Sequence, residues 1–305
     1  MNKRLFLTIF ILLNLPCLLW AKVTIVTTTE DLAAISREVG GDLVRVNSLS
    51  QGSQDPHFVD PRPSMILKVK KADLLMLVGA ELETGWLPVL LRSARNGKIL
   101  PGEPGYLDAS ETVEMLGKPK GNLNRSMGDI HGKGNPHYWL LPKNAIKIAK
   151  ALLNRLLTID PGSRKVFEAN FQTFQKNVVA KTEEWKSRML PLQGAKIIEY
   201  HLSWEYLAHA FGLTIVGQVE PKPGISPSPA HLGRLLSTIK DENVSFLIYE
   251  NFREHSSGKF LSEKTGVEVL RLPISVGGEK GIKTWFDLMD FLVEKMAATT
   301  GRTSK

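Results

Sequence analysis

The chain has 305 residues, 43% of them hydrophobic and 23% charged, with a net charge of +8. That length accommodates two domains of ordinary size, and because Cys17 is the only cysteine, an intramolecular disulfide and a thiolate metal site in the later chain are both excluded. The positive charge is spread over helical stretches such as 68–71 and 143–150 with no aromatic residues interleaved, which describes solvated faces and excludes a nucleic-acid platform.

Residues 1–21 read as a signal peptide. Lys3 and Arg4 precede an apolar run over 5–20, and the small Ala21 offers a cleavage point. The run is shorter than the ~20 residues that span a bilayer, and Asn14 and Pro16 interrupt it, so it does not read as a permanent anchor. Cys17 lies inside it, between Pro16 and the apolar 18–20, a context that disfavours a lipid anchor there. The expected location is periplasmic, and the remainder carries +6 once Lys3 and Arg4 are set aside.

Beyond the leader, β-rich runs alternate with amphipathic stretches, the pattern of doubly wound α/β architecture with a parallel sheet. Strands are expected over 23–28, 44–50 and 74–79, with helices near 30–39, 62–72 and 83–95. The pattern then recurs, with strands over 196–200, 213–219, 244–249 and 267–272 and helices near 204–211, 229–242, 257–265 and 282–297. Between the two sets lies 163–190, free of Gly and Pro, with Val166, Phe167, Phe171, Phe174, Val178 and Val179 at helical spacing. Ser163 reads as its N-cap and Pro191 as its stop. The expected fold is therefore α/β, two doubly wound lobes with parallel sheets joined by one long rigid helix: an N-terminal lobe over 22–160, a connecting helix over 161–192 and a C-terminal lobe over 193–305.

Three of the seven histidines fall where a strand or loop ends. His57 follows Asp55-Pro56 after the second strand, His137 follows Asn135-Pro136, and His201 follows Tyr200 at the end of a strand, with Ser203 as the expected N-cap of the next helix. Ligands of open α/β sheets collect outside the carboxyl ends of strands. Imidazole suits zinc and its neighbours, and three neutral nitrogens with one further donor complete a tetrahedral shell. Each histidine alone reads more readily as a hydrogen-bonded turn or core residue, and spacing alone does not overturn that.

Taken together, Asp55-Pro56-His57, Gly134-Asn135-Pro136-His137-Tyr138-Trp139 with Pro142, and Tyr200-His201 resemble the zinc and manganese receptors of ABC importers, the ZnuA/TroA type. The resemblance covers nearly all of the chain after the leader. It implies a metal held between two lobes by His57, His137 and His201, delivery to a cognate ABC permease, a monomer and no enzymatic activity. Two departures stand out. The loop after the last strand, 272–278, lacks the aspartate that many relatives supply, so Glu250 becomes the first candidate for fourth ligand or supporting carboxylate, with water as the alternative. The stretch 121–134, long and histidine-rich in zinc-specific relatives, is short here and holds only His131, which reads as a solvated loop residue or an additional ligand. Three histidines and no aspartate favour Zn2+ over Mn2+.

Other readings are weaker. His201, Glu205 and His209 are spaced by four, but the helix is expected to start after His201 and no His-Glu-x-x-His motif is present. An exported zinc hydrolase using the same three histidines is the alternative function, with Glu250 as its base. A receptor for an organic ligand would not need these histidines. Residues 277–284 resemble a phosphate loop but place Ile282 where Gly and Lys must adjoin.

Overall fold

The computed structural model describes residues 22–119 and 131–301. The leader and Cys17 lie outside them. Strand β1 (Val23–Thr27) leads into helix α1 (Glu30–Gly40), which starts where Thr29 takes the Leu32 N–H on its hydroxyl. Strand β2 (Val44–Ser48), helix α2 (Pro63–Lys70), strand β3 (Leu74–Leu77), helix α3 (Leu87–Ala94) and strand β4 (Tyr106–Asp108) complete the first set. All pairings are parallel in the order β2-β1-β3-β4.

Helix α4 (Pro142–Ile159) follows, then α5 (Arg164–Met189), whose 26 residues make a rod of about 39 Å. The second set runs β5 (Lys196–Glu199), α6 (Glu205–Phe211), β6 (Thr214–Gln218), α7 (Pro229–Asp241), β7 (Phe246–Glu250), α8 (Ser256–Thr265), β8 (Glu268–Leu272) and α9 (Trp285–Ala297). Its order, β6-β5-β7-β8, repeats the first sheet's and is again parallel throughout. Among the described residues no helix is long and apolar enough to cross a membrane.

Two caps differ from expectation. Ser163 precedes α5 but makes no capping bond, because it closes the one-turn helix Pro161–Ser163 and its hydroxyl is buried without a partner. Helix α6 starts at Glu205, so the cap position belongs to Trp204, not Ser203; the Glu199 carboxylate accepts the Trp204 N–H there at 3.0 Å. His201 therefore lies outside the helix and cannot share a face with Glu205 and His209, and His209 is exposed.

The core has an uneven plan. Each sheet has an outer apolar layer of its own, Val26, Leu75 and Trp86 in the first and Ile198, Leu247 and Tyr249 in the second. The inner layers are continuous: Ile25 and Met76 of the first sheet, Leu152 of α4, Phe167 and Phe174 of α5, Ile197 and Phe246 of the second sheet and Leu292 of α9 belong to one cluster. Helix α5 contributes the stripe Phe167, Phe171, Phe174 and Val178, spaced by three or four; Val166 and Val179 fall off that stripe and stay exposed. Helix α9, opened by a capping box between Thr284 and Asp287, packs on α5 and α1.

The loop after β8 straps the lobes together. Asp31 of α1 accepts the Val276 N–H at 2.9 Å, and Trp139 donates its indole N–H to the Ile274 carbonyl at 2.9 Å. Gly52, in the loop that carries His57, approaches this strap so closely that a Cβ would lie 1.9 Å from the Val276 carbonyl oxygen. Only glycine admits that contact.

Candidate metal centre

Asp55-Pro56-His57 and Asn135-Pro136-His137 build one device twice. In the first, Asp55 Oδ1 accepts both the His57 backbone N–H at 3.0 Å and its ring Nδ1–H at 2.7 Å. In the second, Asn135 Oδ1 accepts the His137 N–H at 3.0 Å and its Nδ1–H at 2.9 Å. The intervening proline fixes φ and needs no hydrogen-bond partner of its own, so a side-chain oxygen two residues back can seize both donors. The first turn is further held by Trp86, whose indole N–H reaches the Pro56 carbonyl at 3.1 Å.

His201 is oriented from a distance. Its Nδ1 lies 2.7 Å from Oε2 of Glu220, just beyond β6. The oxygens behind Nδ1 of His57 and His201 are carboxylate oxygens, and the one behind His137 is an amide carbonyl. Such oxygens accept, so Nδ1 carries the proton in each neutral ring and Nε2 keeps its lone pair. One ligand atom from each of the three rings lies within 4.8 Å of the others. The ring centroids are 5.4 Å apart for His57 and His137, 5.4 Å for His57 and His201, and 6.0 Å for His137 and His201. The three sequence candidates thus meet at the seam between the sheets.

The surroundings favour the neutral form of His57 and His137. Burial, together with the charges of His201 and Arg253, lowers the pKa of His57 despite the opposing pull of Asp55. Burial lowers His137 well below the usual value, with neighbouring positive charge adding to it. Burial pushes the Asp55 carboxyl up, but the bonds from His57 and the charge of Arg253 outweigh it and hold Asp55 down at about 2. A charged carboxylate behind a neutral imidazole is the arrangement that orients a metal ligand and raises its basicity.

Glu250, the sequence candidate for fourth ligand or supporting carboxylate, is held from behind the centre. It ends β7, is 1% exposed, and takes the Trp204 indole N–H on Oε1 at 3.0 Å. Its Oε2 lies 3.9 Å from Arg253 Nε. The carboxylate behind His201 is Glu220, which stands in no motif; its position just past the carboxyl end of a strand is the one signal that sequence offered.

His131 also reaches the centre. Its Nε2 is 3.0 Å from Nε2 of His57, and its ring bonds the Ala80 backbone. Burial and the nearby His57 and His201 lower it to about 3. The corner that receives it is strained, with Ala80 at φ 49° and Glu81 at φ 70°. Glu81 accepts the Gly132 N–H at 2.6 Å, and buried Glu83 braces the corner by accepting the N–H groups of Val78 at 2.8 Å and Gly79 at 3.0 Å. A cavity of about 300 Å³, lined in part by His131, His201, Asn135 and Glu205, opens beside the centre. His255 is exposed, and His231 bonds the Gln218 carbonyl at 2.9 Å.

The family of the zinc-uptake complex component A, periplasmic (ZnuA), matches residues 25–299. The manganese ABC transporter substrate-binding lipoprotein PsaA of Streptococcus pneumoniae is 26% identical over 285 residues, 90% of this chain and 88% of that protein. The zinc-binding lipoprotein AdcA of Streptococcus pneumoniae strain R6 is 25% identical over 252 residues, 81% of this chain and 49% of that protein. The crystal structure of a ZnuA superposes with a TM-score of 0.76 at 25% identity, covering 92% of this chain and 99% of the other. Both streptococcal relatives are named lipoproteins. This corrects the reading that set a lipid anchor at Cys17 aside, which rested only on the residues flanking the thiol.

Proposed function

Since the chain belongs to the ZnuA family, the metal-binding receptors of ABC importers, we propose that His57, His137 and His201 hold one Zn2+ ion between the lobes and that the protein passes it to its permease. The observation that carries this reading is the set of three inward Nε2 lone pairs, each fixed by an oxygen behind Nδ1. It works outside the cytoplasmic membrane, as its relatives do, and as a monomer.

Zinc is preferred to manganese because nitrogen supplies the ligands, whereas manganese favours more oxygen. PsaA is named for manganese and AdcA for zinc, so relatives alone do not choose. Among the described residues the compact set of ligand atoms is His57, His137 and His201, and His131, beside His57, is the neighbouring candidate for the fourth position. Its ring bonds the Ala80 backbone, and its Nε2 stands 3.0 Å from that of His57, lone pair to lone pair when each ring carries its proton on Nδ1. Two such lone pairs repel unless a cation lies between them, and nitrogens of a tetrahedral zinc site stand roughly 3.3 Å apart at the usual bond length. Glu250, buried at the end of β7 and bonded to Trp204, takes the role of a supporting carboxylate. The cavity beside His131 and His201 is the ion's path.

The hydrolase alternative has no support from the relatives, and the base it would need, Glu250, is buried against Trp204. The protein therefore binds and releases without turnover. Elemental analysis of protein purified without added metal or chelator, followed by competition at equal concentrations, tests the assignment. One zinc per chain that manganese fails to displace is expected. Displacement by manganese, or binding unaffected by His201→Ala, overturns it.

A further inference from the structure

Two carboxylates stand behind the centre, one from each lobe, and each divides its oxygens between an imidazole and the same guanidinium. Asp55 gives Oδ1 to His57 at 2.7 Å and Oδ2 to Arg253 Nη2 at 2.9 Å. Glu220 gives Oε2 to His201 at 2.7 Å and turns Oε1 toward Arg253 Nη1 at 3.8 Å. Arg253 sits in the turn after β7, where its backbone N–H reaches the Glu250 carbonyl at 3.0 Å, and its guanidinium carbon lies 5.9 Å from the Tyr200 ring centre and 5.5 Å from that of Phe252. A line of contacts, His57 to Asp55 to Arg253 to Glu220 to His201, joins a ligand of one lobe to a ligand of the other without passing through the ion.

We propose that Arg253 is the positioning residue of this centre: by binding the carboxylates behind His57 and His201 together, it sets both imidazoles in register across the cleft before the metal arrives. The proposal rests on the reading that those histidines hold the ion. Asp55 and Glu220 are largely buried, with side chains 15% and 6% exposed, and carry like charge on opposite lobes. Without a cation between them they repel, and each takes its imidazole along as it moves away. The guanidinium turns that repulsion into attraction. Its planar fork of N–H donors can serve several carboxylates at once, which a point-like ammonium cannot. His137 feels the charge of Arg253 but takes its ring hydrogen bond from Asn135 and lies outside this line of contacts, so its orientation serves as an internal control.

The test is calorimetric zinc titration of the full chain after metal removal, with the wild type, Arg253→Met, Arg253→Lys, Asp55→Asn, Asn135→Ala and the doubles that pair Arg253→Met with each of the last two. Arg253→Met is expected to weaken binding about 10- to 100-fold, the usual cost of losing a group that supports a metal ligand, with stoichiometry unchanged. Arg253→Lys should recover part of that, since an ammonium reaches one carboxylate and not both. Arg253→Met and Asp55→Asn should be non-additive because they break one line of contacts, while Arg253→Met and Asn135→Ala should add. The melting temperature of each metal-free variant gauges folding, and should Arg253→Met melt early, Arg253→Lys carries the cycle with Asp55→Asn. Binding within twofold of wild type in Arg253→Met, or additivity with Asp55→Asn, overturns the clamp while leaving the three-histidine centre standing. Failure of the wild type to take up zinc overturns the functional reading itself.

Discussion

Asp31 is a carboxylate with no exposed surface, and its one oxygen bonded across the lobes accepts the Val276 N–H. Burial raises its pKa from 3.8 to about 7, the backbone bond to Val276 pulling only partly the other way. Below pH ~4 the folded and unfolded chains hold this proton alike; as pH climbs through 7 the folded chain must surrender a proton that it binds more tightly than the unfolded one, so its contribution to stability is lost over that window. Asp31→Asn keeps an acceptor for Val276 and removes the ionisation. It should melt higher than the wild type at pH 8 and alike near pH 4, as thermal scans at both values will check. At the centre, His57→Ala and His201→Ala should abolish tight zinc uptake in calorimetry and His255→Ala should leave it intact. The three histidines were legible through the resemblance that Asp-Pro-His, Asn-Pro-His-Tyr-Trp and Tyr-His carry, and for His57 and His137 the oxygen that fixes the ring is two residues away. Glu220 and Arg253 were not, since each acts on a residue 19 or more positions distant and nothing in its own neighbourhood marks the partner.

Elements with strong periodicity were equally readable. The apolar stripe of α5 was plain in the sequence, although the sequence could not say that Val166 and Val179 would miss it, because that depends on where α1, α4 and α9 lie against the helix. Strand β4 went unread: it has three residues, too few for an alternating pattern to emerge. Helix α4 was read only as the charged helical stretch 143–150, without its bounds, even though Pro142 sits at its first turn, the position proline favours. Phe174 of α5 is 1% exposed and meets the rings of Trp285 and Phe286 edge-on. Phe174→Ala should therefore cost about 3–5 kcal/mol in denaturant unfolding, whereas Val179→Ala, on the exposed side, should stay within about 0.5 kcal/mol.

At the scale of the whole molecule, the doubling of the α/β alternation was visible in the sequence, but the shared strand order and the union of the inner layers were not, because contacts between strands and between sheets leave no periodic trace. That union, with the strap from β8 onto Asp31 and Trp139, argues for small relative motion of the lobes. Solution scattering should give nearly the same radius of gyration with and without zinc. Saturating metal should nevertheless raise the melting temperature, since an ion that binds only the folded chain at a hundred times its Kd adds about 2.7 kcal/mol; an unchanged melting point would mean that the centre is not loaded. The common core has one more consequence. A polypeptide threaded outward from its amino end releases β1 to β4 first, yet the apolar face those strands present is completed only when α9, some two hundred residues later in the chain, arrives to cover α5 and α1. The early half can close its outer layer by itself while the rest is still in transit, but its inner layer acquires its final packing only when the last helix comes through.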